Sequence, residues 1–162
     1  MSDFEKRLQR AIQRGEHRSN AKAREARARE IDENECKQLH TKYRLQLSEQ
    51  IESCIRRLPE HFPGFQFETI YGERGWGAAC GRDDFGSASD GTRTSYYSRL
   101  EMTVRPYSPL HVLDLAAKGT IRNKEVFNRN YFEKLSEVDP ETFTELIDLW
   151  VLEYAEQYAA KL

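Results

Sequence analysis

Apolar residues recur at helical spacing through residues 36–58. They lie three or four positions apart and form one stripe, which consists of Cys36, Leu39, Tyr43, Leu47, Ile51, Cys54, Ile55 and Leu58. This spacing places side chains on one face of an α-helix. Pro59 ends the pattern, because proline lacks the backbone donor that a helix needs. The stripe therefore predicts a long amphipathic helix that stops near residue 58.

The residues before this stripe are mostly polar. Residues 3–14 carry a short apolar face, and we expect Gly15 to break or fray that helix. Residues 20–34 are rich in Ala, Arg and Glu, which form helices well but offer little to bury. They predict a helix surrounded by solvent rather than one packed in a core.

The predicted helix is too long for one small domain to cover. Continuous from Asn20 to Leu58, it would measure about 58 Å at about 1.5 Å per residue. Its first half must therefore extend beyond the domain, pair with another chain or fray. We predict residues 1–35 to be a polar, basic helical extension, ordered throughout or only in part. Residues 36–162 are predicted to form a single compact α+β domain.

The middle of the chain predicts strands. Residues 65–71 and 96–106 alternate apolar and polar side chains, as an antiparallel sheet with one buried face requires. Residues 72–94 contain six glycines and predict a long irregular loop. Residues 109–122 fit either a helix or a third strand, and their alternation favours the strand. Residues 123–135 are interpreted as a mixed connection whose apolar side chains cap the core.

The C-terminal segment has the clearest helix signals. Asp139 suits the N-cap, Pro140 the first helical position, and Glu141 the positive end of the helix dipole. The apolar stripe and its flanks consist of Phe143, Leu146, Ile147, Leu149, Trp150, Val151, Leu152, Tyr154 and Tyr158. A helix that is apolar on nearly all sides must be covered on more than one face. The cover is either the sheet together with the N-terminal helix, or a second subunit.

These elements predict an α+β fold class. A long N-terminal amphipathic helix precedes a three-stranded antiparallel β-meander, and a C-terminal helix packs on the sheet. The surplus helix length and the wide C-terminal stripe both favour self-association, most simply as a homodimer.

Composition adds a charge asymmetry to this picture. The chain has 162 residues, 32% of them charged and 38% hydrophobic, which fits one domain. Its formal net charge is -2, yet residues 1–30 hold nine Lys or Arg against five acids. Residues 131–162 hold two Lys against eight acids. The basic start and the acidic end could attract one another within a chain or between chains. The overall charge does not indicate a nucleic-acid-binding protein.

The cysteines and the hydropathy of the sequence indicate the cellular compartment of the protein. The sequence contains three cysteines, Cys36, Cys54 and Cys80. Their number is odd and no two are close in sequence, so they predict neither a disulfide framework nor a CxxC redox site. The sequence shows neither an apolar leader nor a run of about 20 apolar residues that could span a membrane. We therefore expect a cytoplasmic protein without membrane attachment.

The glycine-rich segment carries the first candidate binding surface. It combines cations with aromatic rings, namely Arg74, Trp76, Arg82, Arg93, Tyr96 and Tyr97. Such a mixture is typical of protein interfaces, and it can also stack on single-stranded nucleic acid. The alternative is that Trp76 folds back over the sheet. We predict these six residues as the ligand-binding or partner-binding site.

The same segment resembles a phosphate-binding turn only loosely. Gly75, Gly77 and Gly81 follow a strand, but a GK[ST] motif and a helical pattern are missing after them. Asp83, Asp84 and Asp90 could bind a hard cation, yet the order of acids in an EF-hand loop is absent. Neither a nucleotide nor a metal ion is predicted.

A zinc site and a catalytic site are not favoured either. Cys36 and His40 stand four residues apart on the helix, which is half of a zinc site, and the second half is missing. We expect a buried cysteine and a surface histidine there. No acid, base and nucleophile can be assembled from the spacing of residues, so no catalytic residue and no cofactor are predicted.

The polar helical segment suggests the main alternative function. Its cations, which could neutralise phosphates, are Arg18, Lys22, Arg24, Arg27 and Arg29. Interleaved glutamates dilute their field, which favours an ordinary solvated helix. We therefore predict a non-catalytic interaction or scaffold protein that self-associates through its helices and could also bind a protein partner. A nucleic-acid-associated protein is the alternative, followed by a chaperone-like module, and an enzyme comes last.

Overall fold

A computed structural model gives the fold. It describes residues 3–87 and 90–162, with the side chains of all of these except residues 26 and 28–32. Two compact units are present, Met1–Gln38 and Leu39–Leu162. The sheet and the C-terminal helix belong to the second unit.

The first helix is longer than the sequence patterns suggested. Helix α1 is continuous over Asp3–Ile55, and Gly15 lies within it. The expected break at Gly15 is wrong, because a helical glycine costs only about 1 kcal/mol relative to alanine and its neighbours are strong helix formers. In the first unit every described side chain is exposed except that of Cys36, which is half-buried.

The second half of the apolar stripe lies in the core of the second unit, as predicted. Leu47, Ile51 and Ile55 are almost completely buried. A single turn of helix follows as α2, Leu58–His61, in which Pro59 stands near the start and Leu58 is buried.

Five antiparallel strands form one sheet, in place of the three that were predicted. Their order in the sheet is the order in the chain. They are β1 (Gln66–Ile70), β2 (Trp76–Ser87), β3 (Arg93–Val104), β4 (Val112–Ile121) and β5 (Lys124–Lys134). The meander and its antiparallel pairing are therefore confirmed, and the strand number is wrong. Residues 109–122 contain β4, so the favoured third strand is confirmed.

The predicted loop at residues 72–94 contains β2 and the first residues of β3. Glycine is disfavoured in strands, and that rule produced the error. β2 is hydrogen-bonded to β1 on one side and to β3 on the other, and this pairing outweighs the poor propensity of its glycines. A small residue at Gly77 is required, because its backbone lies against the carbonyl group of Met102.

The predicted connection at residues 123–135 is in fact β5. Arg122 and Asn123 form a two-residue turn with φ of 49° and 71°, which lets Ile121 pair directly with Lys124. Such turns usually carry Asn-Gly or Asp-Gly, so the Arg-Asn pair gave no turn signal. β5 is also an edge strand whose side chains are mostly exposed. Its sequence therefore lacks the alternation of apolar and polar residues that predicts a strand.

Helix α3, Pro140–Ala160, confirms the predicted C-terminal helix and its packing on the sheet. The Asp139 side chain caps it by accepting a hydrogen bond from the backbone N–H of Glu141 at 3.1 Å. The hydroxyl of Tyr154 donates to the carbonyl of Thr120 at 2.8 Å, which ties the helix to β4.

The sheet thus has two unlike faces. Its helix-facing side carries the core, including Leu100, Met102 and Leu115, all of them completely buried. On the other side, which we call the open face, Lys118 and Asn128 are exposed to solvent. The polar chemistry of the sheet is therefore concentrated on the open face.

Candidate functional site

The open face carries one register row that crosses the whole sheet. Neighbouring strands pair at Glu68, Ala79, Glu101, Lys118 and Asn128, in that order from β1 to β5. Directly paired residues project to the same side of an antiparallel sheet. The strand register therefore assembles two carboxylates, an ammonium group and an amide into one line.

Two arginines complete a charged cluster around this row. Arg99 Nη2 lies 2.5 Å from Glu68 Oε1 and 3.8 Å from Glu101 Oε1. Arg74, from the loop between β1 and β2, reaches the same oxygen of Glu101 at 2.7 Å. Glu101 is thus held between two guanidinium groups, and its side chain is only 18% exposed. We call Glu68, Arg74, Arg99, Glu101 and Lys118 the charged cluster.

Lys118 stands apart from these ion pairs. It is the direct cross-strand neighbour of Glu101, yet among the described residues no carboxylate lies within ion-pair distance of its ammonium group. Burial by itself would lower the pKa of Arg99, but the hydrogen bond to Glu68 and the charges of Tyr97, Glu68 and Glu101 together outweigh burial and raise that pKa. Both arginines are thus engaged by carboxylates, while Lys118 remains available.

Two cavities flank the cluster. Their volumes are about 360 Å³ and 440 Å³, and both are lined by Arg74, Glu101 and Lys118. The first is also lined by Glu73, Thr103, Arg105, Pro106, Ala116, Ala117 and Asn128, and the second by Glu68, Tyr97, Arg99 and Thr120. Charged groups and neutral hydrogen-bonding groups therefore surround the same space.

Of the six predicted site residues, the structure brings Arg74 and Tyr97 together. Both line the cavity of 440 Å³ on the open face. Arg93 lies elsewhere on the β2–β3 hairpin, with its guanidinium carbon 5.7 Å from the ring centre of Phe85.

The other three predicted residues, Trp76, Arg82 and Tyr96, lie on the helix-facing side of their strands. Trp76 is the first residue of β2, and the guanidinium group of Arg44 lies over its ring at 4.0 Å. Arg82 donates to Asp84 at 2.7 Å, and Tyr96 lies beneath a guanidinium group at 4.7 Å. The six residues therefore do not form one surface.

Four members of the charged cluster, Arg99, Glu101, Glu68 and Lys118, were missing from the predicted site. The sequence did contain a signal for Arg99 and Glu101, because the alternation of residues 96–106 placed both of them on the solvent face of a strand. No local signal marked Lys118, since its position beside Glu101 depends on the register between β3 and β4.

A second candidate site is a groove between the helices on the other side of the molecule. Its volume is about 780 Å³. It is lined by Gln50, Ser53, Cys54, Arg57, Leu58, His61, Phe62, Asp148, Val151, Leu152 and Ala155, which come from α1, α2, α3 and their connections. We call it the helix groove.

Exposed leucines of α3 lie at the helix groove and next to it in sequence. Leu152 lines the groove and is 64% exposed, and Leu149, one turn earlier on α3, is 59% exposed. Clustered apolar exposure of this kind is uncommon on a monomeric surface without a partner.

One polar contact closes the floor of the helix groove. Asp148 Oδ1 accepts hydrogen bonds from Gln50 Nε2 at 2.8 Å and from Cys54 Sγ at 3.2 Å. Burial raises the pKa of the Cys54 thiol to about 11, and the carboxylate of Asp148 contributes in the same direction. This thiol is therefore a structural hydrogen-bond donor rather than a nucleophile.

The reactivity of Cys54 provides a direct test of this contact. With a pKa of about 11, its thiolate fraction at pH 8 is roughly 100-fold below that of an unperturbed thiol. A more basic thiolate is a stronger nucleophile, which offsets part of this loss. We therefore expect iodoacetamide to modify Cys54 at least about tenfold more slowly than free glutathione, as followed by peptide mass spectrometry. In Asp148→Asn the negative charge is removed, and modification of Cys54 should become faster. Equal rates in the two proteins would contradict the role of Asp148.

The zinc alternative concerns residues of α1, and the phosphate alternative concerns glycines at β2. His40, expected at the surface, is buried, and its Nε2 lies 3.1 Å from the carbonyl of Arg105. Burial lowers the pKa of His40 despite that hydrogen bond. Gly77 and Gly81 belong to β2, so they do not form a turn before a helix. In the described part of the chain, no three His, Cys, Asp or Glu side chains are grouped so as to hold a metal ion.

The basic residues of the nucleic-acid alternative lie on α1. Arg18, Lys22, Arg24 and Arg27 are all exposed, while the side chain of Arg29 lies outside the described residues. No helix within residues 3–87 and 90–162 is long and apolar enough to cross a membrane.

Comparisons of the chain with protein-family models, with curated proteins and with solved structures gave no match.

Proposed function

We propose that the protein is a non-catalytic interaction or scaffold protein that self-associates as a homodimer through its helices. One observation carries the proposal: the helix groove is lined by the exposed Leu152 of α3, and the exposed Leu149 precedes it by one turn. A second copy of the chain is the occupant that we assign to the groove.

The apolar geometry suits a two-fold interface. In such an interface the same patch is used by both copies, so a projection must lie next to the cavity that receives it. Leu149 is the projection, and the groove that follows it along α3 is lined by Leu152, Val151 and Ala155. Burying one leucine side chain contributes about 1.5–3 kcal/mol, and symmetry counts every contact twice.

The charges favour an antiparallel arrangement of the two copies. Asp148 contacts Gln50, and the ring of Tyr158 packs on that of Phe62, so α1 with α2 and α3 run in the same direction along the groove. The exposed Glu145 precedes Asp148, which lines the groove, by about one turn of α3.

The opposite end of the groove is basic. It is lined by Arg57 and His61. In an antiparallel dimer this end of one copy faces Glu145 of the other. Parallel copies would instead oppose like charges, which is unfavourable.

The test is the mass of the full chain in solution at micromolar concentration, measured by size-exclusion chromatography with light scattering. We expect about 38 kDa, twice the 19.0 kDa of one chain. Leu152→Glu should weaken the dimer at least 100-fold, because two buried leucines are lost and two charges are added. Leu110→Glu is the matched control, since Leu110 is 78% exposed in the β3–β4 connection, and it should remain dimeric.

Several outcomes would contradict the proposal. A folded wild-type monomer at micromolar concentration would exclude the homodimer. A dimer that Leu152→Glu leaves intact would exclude the helix groove as its interface. A peak with excess absorbance at 260 nm that high salt removes would place the nucleic-acid alternative first.

A further inference from the structure

The charged cluster on the open face has an excess of positive charge. Three cations, Arg74, Arg99 and Lys118, stand against two carboxylates, Glu68 and Glu101. The carboxylates are engaged by the arginines, so the excess is located at Lys118. An exposed lysine often serves only solubility, and a site requires more than its charge.

The first additional feature is preorganisation of the arginines. Glu101 accepts from Arg74 at 2.7 Å, and Arg99 lies 2.5 Å from Glu68. These contacts hold the guanidinium groups in place while leaving part of their N–H donors unused, because a guanidinium group has five. A ligand that meets donors already in position loses less entropy on binding.

The second feature is space beside the unpaired ammonium group. Lys118 lines both cavities, which shows that small side chains around it leave room above the sheet. Ala116, which borders the first cavity, has a side chain too short to fill it.

The third feature is a set of neutral hydrogen-bonding groups at the same cavities. The hydroxyls of Thr103 and Thr120, the amide of Asn128 and the phenol of Tyr97 line them. These groups suit the hydroxyl, carbonyl or amide parts of a ligand whose charged end is held by the cations.

We infer that the open face binds a small molecule bearing an oxyanion, a carboxylate or a phosphate group, with Lys118 as the main contact and Arg74 and Arg99 as supporting donors. The volumes of 360 Å³ and 440 Å³ fall at the lower end of small-ligand sites, which are typically about 300–1,000 Å³. A metabolite-sized ligand therefore fits better than a macromolecular surface. The inference is independent of the proposed dimer, because the helix groove lies on the other side of the sheet.

The experiment is a titration of the full-length, ¹⁵N-labelled protein with inorganic phosphate and, separately, with acetate. Sodium chloride keeps the ionic strength constant, so that screening does not imitate binding. We expect saturable shifts of backbone amides in β3 and β4 around Glu101 and Lys118 for at least one of the two anions. The anion that saturates first identifies the preferred group.

Two variants complete the test. Lys118→Met keeps the length of the side chain and removes its charge, and it should weaken anion binding at least tenfold. Lys124→Met is the matched control, because Lys124 is exposed in the same sheet but lines neither cavity, and it should bind as the wild type does. Shifts that never saturate, or equal losses in the two variants, would overturn the inference. Neither result depends on the mass of the assembly.

Discussion

Gly77→Ala should destabilise the second unit by at least about 3 kcal/mol, which is a large part of the stability of an ordinary domain. A Cβ at this position would lie closer than 3.0 Å to the carbonyl oxygen of Met102, a separation that real Cβ atoms essentially never show. The obstacle is backbone in the neighbouring strand, so no side-chain rotation can relieve it. The strand pair β2–β3 must separate locally, which also disturbs the core beneath it.

Gly81→Ala is the control for this prediction. Gly81 lies on the same face of the same strand, and its added Cβ would come no closer than 3.2 Å to the carbonyl of Ser98. We expect a loss of about 1 kcal/mol or less in urea unfolding followed by circular dichroism. Similar stabilities of the two variants would show that β2 and β3 are not as closely paired at Gly77 as the structure has them.

The second large effect concerns Tyr154, the largest of the fully buried side chains. It packs edge-to-face on Phe127, and Gly119 provides the room for its ring, since a Cβ there would lie 3.1 Å from it. Tyr154→Ala removes the ring and leaves a cavity between α3 and β4. We expect a loss of about 3–5 kcal/mol in the free energy of unfolding, measured by chemical denaturation.

Tyr154→Phe separates the ring from its hydroxyl. The ring remains, but the hydrogen bond to the carbonyl of Thr120 is lost, so we expect a loss of about 1–2 kcal/mol. If Tyr154→Phe is as unstable as Tyr154→Ala, cavity formation is not the main cause of the destabilisation in Tyr154→Ala.

The pH dependence of Tyr154 gives a further check. Burial raises its pKa well above the ordinary value of about 10, because the ionised phenol would be desolvated between α3 and the sheet. The folded state therefore keeps a proton that the unfolded state releases. The stabilisation is complete below pH 10 and declines as the pH rises above 10. Tyr154→Phe should lose less stability between pH 9 and 11 than the wild type does.

Only part of the candidate sites could be predicted from the sequence. Arg99 and Glu101 belong to an alternating segment, so their exposure on one side of β3 followed from local pattern. Their contacts with Arg74 and Glu68 come from residues 27 and 31 positions earlier, respectively, and no local pattern encodes such separations along the chain. The mixture of cations and aromatic rings in residues 74–97 suggested one surface, but alternation along β2 and β3 places its members on both faces of the sheet.

Sequence alone determined the elements whose signals are local. The helical spacing from Leu47 to Ile55 and the capping by Asp139 and Pro140 act within a few residues, and both predictions were confirmed. The α+β class followed from the same signals. Strand number was decided by tertiary structure, because β2 and β5 are stabilised by hydrogen bonds to neighbouring strands rather than by their own propensities. The register that places Lys118 beside Glu101, and the packing that leaves a groove along α3, likewise exist only once distant segments of the chain meet.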